Sequence, residues 1–412
     1  MSNVTKKRID YWYYLAVIVL ALIIYLYFAL NINLLVIKPT KSNVNLSSAT
    51  SPLNINWPNF KEEAYGINNS VYQTNGNQVA LPTASTAKLI TALVVLQKYP
   101  LQPGQSGPLI TINQNDMNDL AYYEANQGSV LKVYLNEQLS EYQMLQAMLL
   151  PSANNIADSL ATWAFGSLQN YASNANQFLV KNGFNNTYVG TDASGFNPST
   201  TSTAKDLVRL GEMAYDNPVL ANIVALKSAT NFPLVGSIKN VNFLLGQDGI
   251  MGIKTGNNNQ DPGVFIAVSK QNINNQAINI FTAVMGAPDL WYALNGTVQF
   301  INSIKTNFST PISLNTNNLN ASLGTYYVPW DKQNIKVYLA KSINFKILNN
   351  SKATIDINMN PISFKTKMNQ TIGYLSLNGA ILKQKQIVPI KLAGNIKKPP
   401  LWWLLLHPNY VL

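Results

Sequence analysis

Ser85-Thr86-Ala87-Lys88 sets a hydroxyl and an amine about one helical turn apart. At that spacing a neutral Lys88 can accept the Ser85 proton, leaving Ser85 Oγ as a nucleophile. Burial or a second nearby cation would lower the lysine pKa enough for this. Two further polar triplets follow in the chain. Ser152-Ala153-Asn154 lies between two helix-like stretches, and Lys254-Thr255-Gly256 comes just before a strand-like run. Together they offer two hydroxyls, two amines and a carboxamide, the parts of an acyl-transfer site.

Composition narrows the chemistry further. The 412 residues include no cysteine, which excludes disulfides, zinc–cysteine sites and cysteine nucleophiles. The single histidine, His407, is near the C-terminus, so only the tail could supply the imidazole of a Ser-His-Asp triad. A histidine-rich metal site is impossible, and no metal or cofactor is expected. Hydrolytic chemistry must use lysine, carboxylate or hydroxyl groups. The net charge of +11 is scattered, with no basic stripe interleaved with aromatics, so nucleic acid is not the expected partner. Anionic lipid or wall polymers remain, alongside the plain reading that the charge aids solubility.

The elements that must position these groups begin after an uncharged run at 11–30, YWYYLAVIVLALIIYLYFAL, preceded by Lys6, Lys7 and Arg8. About twenty apolar residues span a bilayer, and the basic flank stays cytoplasmic. The expectation is therefore a stub and retained single-pass membrane anchor over 1–37, with everything after it extracytoplasmic. A cleaved signal is the alternative. A Ser/Asn/Thr/Pro-rich linker is expected over 38–56. From 57 to 308 helix-like stretches (85–99, 140–150, 155–168 and 296–308) mix with apolar strand-like runs at 263–269 and 277–286. From 309 to 393 apolar and polar residues alternate between Asn/Gly/Ser breaks, which reads as a small all-β domain. An apolar tail at 394–412 closes the chain; its segment 397–412 is set either in a membrane interface or packed back onto the protein.

The tetrapeptide STAK occurs a second time, as Ser202-Thr203-Ala204-Lys205. Its plain reading is a serine N-cap ahead of an amphipathic helix.

SxxK, SxN and KTG in this order are the signature of penicillin-interacting serine enzymes. ALPTASTAKLITALVVL, MLLPSANNIADSLA, GTDASGFNPSTTSTAKDLVRLGEMA and DGIMGIKTG resemble the corresponding stretches of low-molecular-mass penicillin-binding proteins, the serine D-Ala-D-Ala carboxypeptidases. The likeness covers roughly 57–308. It implies the α/β (α+β) penicillin-binding/β-lactamase-like transpeptidase fold, with a helical subdomain and a small all-β C-terminal domain. It also implies removal of the terminal D-Ala from peptidoglycan stem peptides, and inhibition by β-lactam antibiotics. By the same resemblance, Ser85 attacks the carbonyl between the two D-alanines, Lys88 is its base, and Ser152 relays a proton to the leaving group. Asn154 binds the peptide backbone and holds Lys88. Lys254 attracts the terminal carboxylate and biases Lys88 toward neutrality, and Thr255 bonds that carboxylate. Gly256 lets substrate lie on the strand edge, and Asn257 N–H joins Ser85 N–H in an oxyanion hole.

Two positions depart from the family pattern. Asn155 stands where aspartate is common, and Asn257-Asn258-Asn259 follow the third motif. Three alternatives share these motifs: a D,D-transpeptidase, a class A β-lactamase and a non-catalytic wall-binding protein. The lactamase needs a glutamate for deacylation, and Glu212 is the only one between the second and third motifs.

Overall fold

The computed structural model describes residues 3–30, 36–41, 52–69, 71–257, 262–308, 310–314, 323–349, 353–379 and 385–407. The chain divides into two compact units, 52–308 and a second formed by 1–51 with 309–412.

In the first unit the apolar runs at 263–269 and 277–286 belong to longer strands, Gly263–Ile273 and Gln276–Ala287. They form a hairpin turned by Asn274 and Asn275, both at positive φ, the backbone that a two-residue primed turn requires. Among the described residues the sheet has five antiparallel strands. Their order is Ile250–Gly256, Gly263–Ile273, Gln276–Ala287, Glu62–Ile67 and Val71–Gly76. Helices cover both faces. The Tyr65 ring meets Phe300 of the helix Leu290–Thr306, while a Cβ at the next residue, Gly66, would point at Glu212 and Val208 of the helix Ala204–Asp216.

The helix Lys88–Lys98 is buried at every residue from Lys88 to Leu96. Its sequence has no polar face, and a helix apolar all round must be enclosed. Four helices enclose it: Glu141–Leu149, Asn154–Phe165, Leu168–Lys181 and Ala204–Asp216. Ser140 caps the first of these in a capping box with Gln143, and Gly166 ends the second in the left-handed region.

Between its N-terminal helix and a short helix in the tail, the second unit is all-β among the described residues. Among the described residues it has one six-stranded sheet and a two-stranded pair, Thr310–Leu314 with Ile343–Ile347. Both contribute to one apolar core that includes Leu314, Tyr326, Phe345, Leu375 and Ile390. The stretch read as a linker departs from that expectation. Pro39–Lys41 forms an edge strand paired with Gly324–Tyr326, because its backbone completes the sheet; 42–51 lie outside the described residues. In the tail, Leu401–Leu406 is a short helix. It buries Trp403 and Leu404 against Trp330 and leaves Leu401, Trp402 and Leu406 exposed. Residues 408–412 lie outside the described residues.

At the N-terminus a 28-residue helix runs Asn3–Leu30. Its side chains are described at 11–27 and are almost all exposed. Among the described residues no helix is long and apolar enough to cross a membrane.

Candidate active site

The nucleophile motif is a tight 3-10 turn, Ala84–Ala87, running into the α-helix at Lys88. Ala84 holds φ +44°, a conformation that costs an L-residue roughly 1–3 kcal/mol. The turn is pinned from two sides. A Cβ at Gly256 would lie 2.9 Å from the Thr83 carbonyl oxygen and 3.2 Å from Ser85 N. One at Gly195 would lie 2.1 Å from the Ala84 carbonyl oxygen. Glycine at both places lets the strand end and the 192–197 loop close on the nucleophile turn.

Lys88 Nζ donates to Ser85 Oγ at 2.8 Å, to Asn154 Oδ1 at 2.7 Å and to the Ser194 carbonyl at 2.9 Å. The side chain is fully enclosed. Burial disfavours its charged form and lowers its pKa to about 7, against the opposing pull of Asp192 and Asp158. The expected bias from Lys254 is therefore not the leading cause; desolvation is.

Lys254 is also buried. Its Nζ donates to Ser152 Oγ at 3.0 Å and to the Thr255 carbonyl at 3.0 Å. Burial first, and then the Lys88 charge, push its pKa well below the usual lysine range. Ser152 sits at φ +67°, between the helix ending at Leu149 and the one starting at Asn154. That left-handed step turns its hydroxyl toward Lys254.

The three motifs thus meet, but in two layers. Ser85, Asn154 and Asn257 line a cleft of about 420 Å³ together with Tyr122, Asn126 and Phe196. Lys88, Ser152, Lys254 and Thr255 lie buried behind it. Lys254 therefore faces Ser152 rather than open solvent. Gly256 also serves the close approach of the nucleophile turn. Among the described residues the strand Ile250–Gly256 has a neighbour on one side only, which leaves an edge for an extended peptide.

The departure at Asn155 has a geometric reason. Its Oδ1 accepts from Leu131 N at 3.0 Å and its Nδ2 donates to the Leu131 carbonyl at 3.0 Å. An ionised carboxylate could accept the first bond but could not donate the second. Asn154 N donates to the Ser129 carbonyl at 2.7 Å, so the 128–131 wall is fixed to this helix twice. Asn258 and Asn259 lie outside the described residues.

Behind Lys88 stand two carboxylates that belong to none of the three motifs. Asp192 Oδ1 accepts from the amides of Ser194, Gly195 and Phe196 and from the Ser194 hydroxyl, and its Oδ2 accepts from Asn197 N. Asp158 accepts from the Tyr123 hydroxyl at 2.5 Å and from Ala193 N at 2.8 Å. The readable signal was Asp192-Ala193-Ser194-Gly195, an Asx-type turn with glycine at its left-handed position.

The second STAK does no comparable work. Ser202 is buried, within hydrogen-bonding distance (2.8 Å) of the Thr187 hydroxyl. The helix cap is Thr203, not Ser202, because Thr203 Oγ1 accepts from Asp206 N. Glu212 contacts the strands at Gly66 and Tyr72, at the opposite end of the sheet order from Gly256, so it is not placed to serve Ser85. His407 stacks on Trp403 at 4.5 Å within the second unit.

The chain also matches known proteins. The family model for D-alanyl-D-alanine carboxypeptidase matches residues 66–289. The chain belongs to that family. It is 28% identical over 211 residues to a D-alanyl-D-alanine carboxypeptidase of Streptomyces sp. (strain K15), covering 47% of this chain and 70% of the relative. It is 30% identical over 224 residues to the D-alanyl-D-alanine carboxypeptidase DacB2 of Mycobacterium tuberculosis, covering 52% and 71%. Among solved structures, penicillin binding protein 5 from Haemophilus influenzae matches with a TM-score of 0.55 at 18% identity, over 85% of this chain and all of the other. At that identity the likeness shows the fold: the penicillin-binding transpeptidase fold with a sheet-rich C-terminal region.

Proposed function

We propose that the protein is a serine-type D-Ala-D-Ala carboxypeptidase that works through an acyl-enzyme on Ser85. The observation that carries this reading is the Lys88 amine, fully buried, 2.8 Å from Ser85 Oγ and with a pKa lowered to about 7. A lysine in that state is a general base matched to neutral pH.

The stem peptide lies in the cleft along the free edge of Ile250–Gly256. Ser85 Oγ attacks the carbonyl between the D-alanines and its proton passes to Lys88. The developing oxyanion is met by backbone N–H groups of Ser85 and Asn257. Asn154 orients both Lys88 and the peptide backbone. The C–N bond breaks as Ser152, hydrogen-bonded to Lys254, passes a proton to the leaving D-Ala nitrogen and takes the one held by Lys88, which leaves the Lys88 amine neutral again. Thr255 receives the terminal carboxylate, whose charge favours protonation of Lys254. Water then attacks the ester and gives a proton to Lys88, which returns it to Ser85 Oγ as the ester bond breaks and the shortened peptide leaves. Penicillin enters the same path at its strained amide and stops at the acyl-enzyme.

We further propose that the protein is held at a membrane with its catalytic unit outside the cytoplasm. What supports the anchor is the sequence alone: the uncharged run 11–30 behind Lys6, Lys7 and Arg8. The exposed Leu401, Trp402 and Leu406 suit an interfacial depth.

Mass spectrometry of the full-length protein with a diacylated D-Ala-D-Ala peptide tests the activity. Free D-Ala and a transient acyl group on the Ser85 peptide are expected. Neither product appearing overturns the reading. Recovery of residue 1 in the membrane fraction supports the anchor, and a soluble form starting near residue 40 contradicts it.

A further inference from the structure

Lys88 receives its third contact, the Ser194 carbonyl, from a loop rather than from a motif residue. What fixes that carbonyl is the Ala193–Ser194 backbone. Asp192 organises the loop from within, through the amides of Ser194, Gly195, Phe196 and Asn197. The loop is tied to the rest of the unit by Asp158, a buried residue one helical turn beyond Asn154. Its Oδ1 takes Ala193 N at 2.8 Å and its Oδ2 takes the Tyr123 hydroxyl at 2.5 Å. Tyr123 in turn packs edge-on against Phe196 of the cleft wall, with ring centroids 5.3 Å apart.

We propose that Asp158 is a positioning residue for the base: clamped between Tyr123 and Ala193, it holds the Ser194 carbonyl on Lys88 and Phe196 on the cleft. This rests on the reading of Lys88 as the base. Nothing in the acyl-transfer steps uses Asp158 directly, yet a buried carboxylate needs a reason to be there. Both its oxygens are bonded, one to each side of the cleft's rear wall. Loss of one such anchor lets an enclosed amine drift, and a displacement of about 1 Å costs on the order of 10²-fold in rate.

The clamp also carries charge toward the base. The charged and titratable groups around Lys88 are Asp158 on its neighbouring helix, Asp192 on the loop and Lys254 on the strand. Tyr123, and more remotely Asp119, face Asp158. Both aspartates favour the protonated amine, opposing burial, and burial pushes Asp158 itself up to about 7. The two titrations are coupled, so the measurable quantity is the acid limb of the whole site.

The test is the rate of penicillin acylation of the full-length protein against pH, from about pH 5 to about pH 9, across the range where a shifted lysine and carboxylate titrate. Asp158→Asn keeps an acceptor for Ala193 N and removes the charge. It should hold the alkaline plateau within about threefold and move the acid limb to lower pH. Asp158→Ala removes the anchor and should lower the plateau on the order of tenfold or more. An alanine variant with the wild-type plateau overturns the proposal. Should that variant not fold, Tyr123→Phe, which removes one end of the clamp, decides: a plateau lowered about threefold or more supports the proposal, and a wild-type plateau overturns it. A wild-type protein that is never acylated on Ser85 fails differently, removing the base reading beneath the proposal.

Discussion

Lys254 Nζ donates to Ser152 Oγ across 3.0 Å, and Ser152 reaches that position only by adopting φ +67°. The chain accepts local backbone strain to put this hydroxyl between a buried amine and the cleft. Ser152→Ala leaves the backbone problem in place and removes only the oxygen. Penicillin acylation should slow by about 10²–10⁴-fold, the range for a lost proton-transfer group, with unchanged circular dichroism. Stopped-flow acylation at wild-type speed would remove Ser152 from the proton path.

Lys88 makes the reaction and the fold depend on pH in the same sense. The neutral amine is the reactive form, so acylation should rise as pH increases through about 7 and level off above it. Stability follows linkage. Between the lowered folded pKa of about 7 and the ordinary value of 10.5, the unfolded chain holds a proton on Lys88 that the folded chain lacks. Unfolding free energy should therefore increase with pH across that window, and Lys88→Met should flatten the slope. Denaturant titrations across the window measure it; an equal slope in the variant would place the dependence elsewhere.

Asn155→Asp is a one-atom exchange with a definite sign. It turns the donor facing the Leu131 carbonyl at 3.0 Å into an acceptor. The buried carbonyl then loses its partner, at a cost of about 1–3 kcal/mol. A lower melting temperature and a slower acylation, as the 128–131 wall loosens, are expected. An unchanged melting temperature would mean that the Leu131 contact is not maintained.

Gly256→Ala should be more damaging to activity than to folding. The new Cβ meets backbone atoms of Thr83 and Ser85, which cannot turn aside as a flexible side chain would. Acylation should fall on the order of 10²-fold through displacement of the Ser85 turn. Retained acylation would show that the turn has more room than the 2.9 Å approach implies.

The sequence carried the motif order, and with it Ser85, Lys88, Ser152, Asn154 and the 254–257 segment, because SxxK, SxN and KTG survive as short fixed strings. It also carried the hairpin 263–287, whose apolar runs are long and bounded by asparagines. The strands Glu62–Ile67 and Val71–Gly76 were illegible: EEAYGI holds two buried glutamates, so its burial does not follow its hydropathy. The helix Gln114–Ala125 buries only Asp116, Leu120 and Tyr123, too few apolar positions for a period. Asp158 and Asp192 were hidden for another reason. A carboxylate inside an apolar helix or a loop reads as solvated until the partners arriving from distant segments are placed. The duplicated STAK shows the limit of short strings: Ser202 has the right letters and hydrogen-bonds to Thr187, not to Lys205.

The central claim is that Ser85 is the acylated residue. Full-length protein incubated with penicillin, digested and analysed by tandem mass spectrometry tests it most directly. One penicilloyl group is predicted, on Ser85, lost in Ser85→Ala and retained in Ser202→Ala and His407→Ala. An adduct on Ser202, or a penicilloyl group that survives Ser85→Ala, would contradict it.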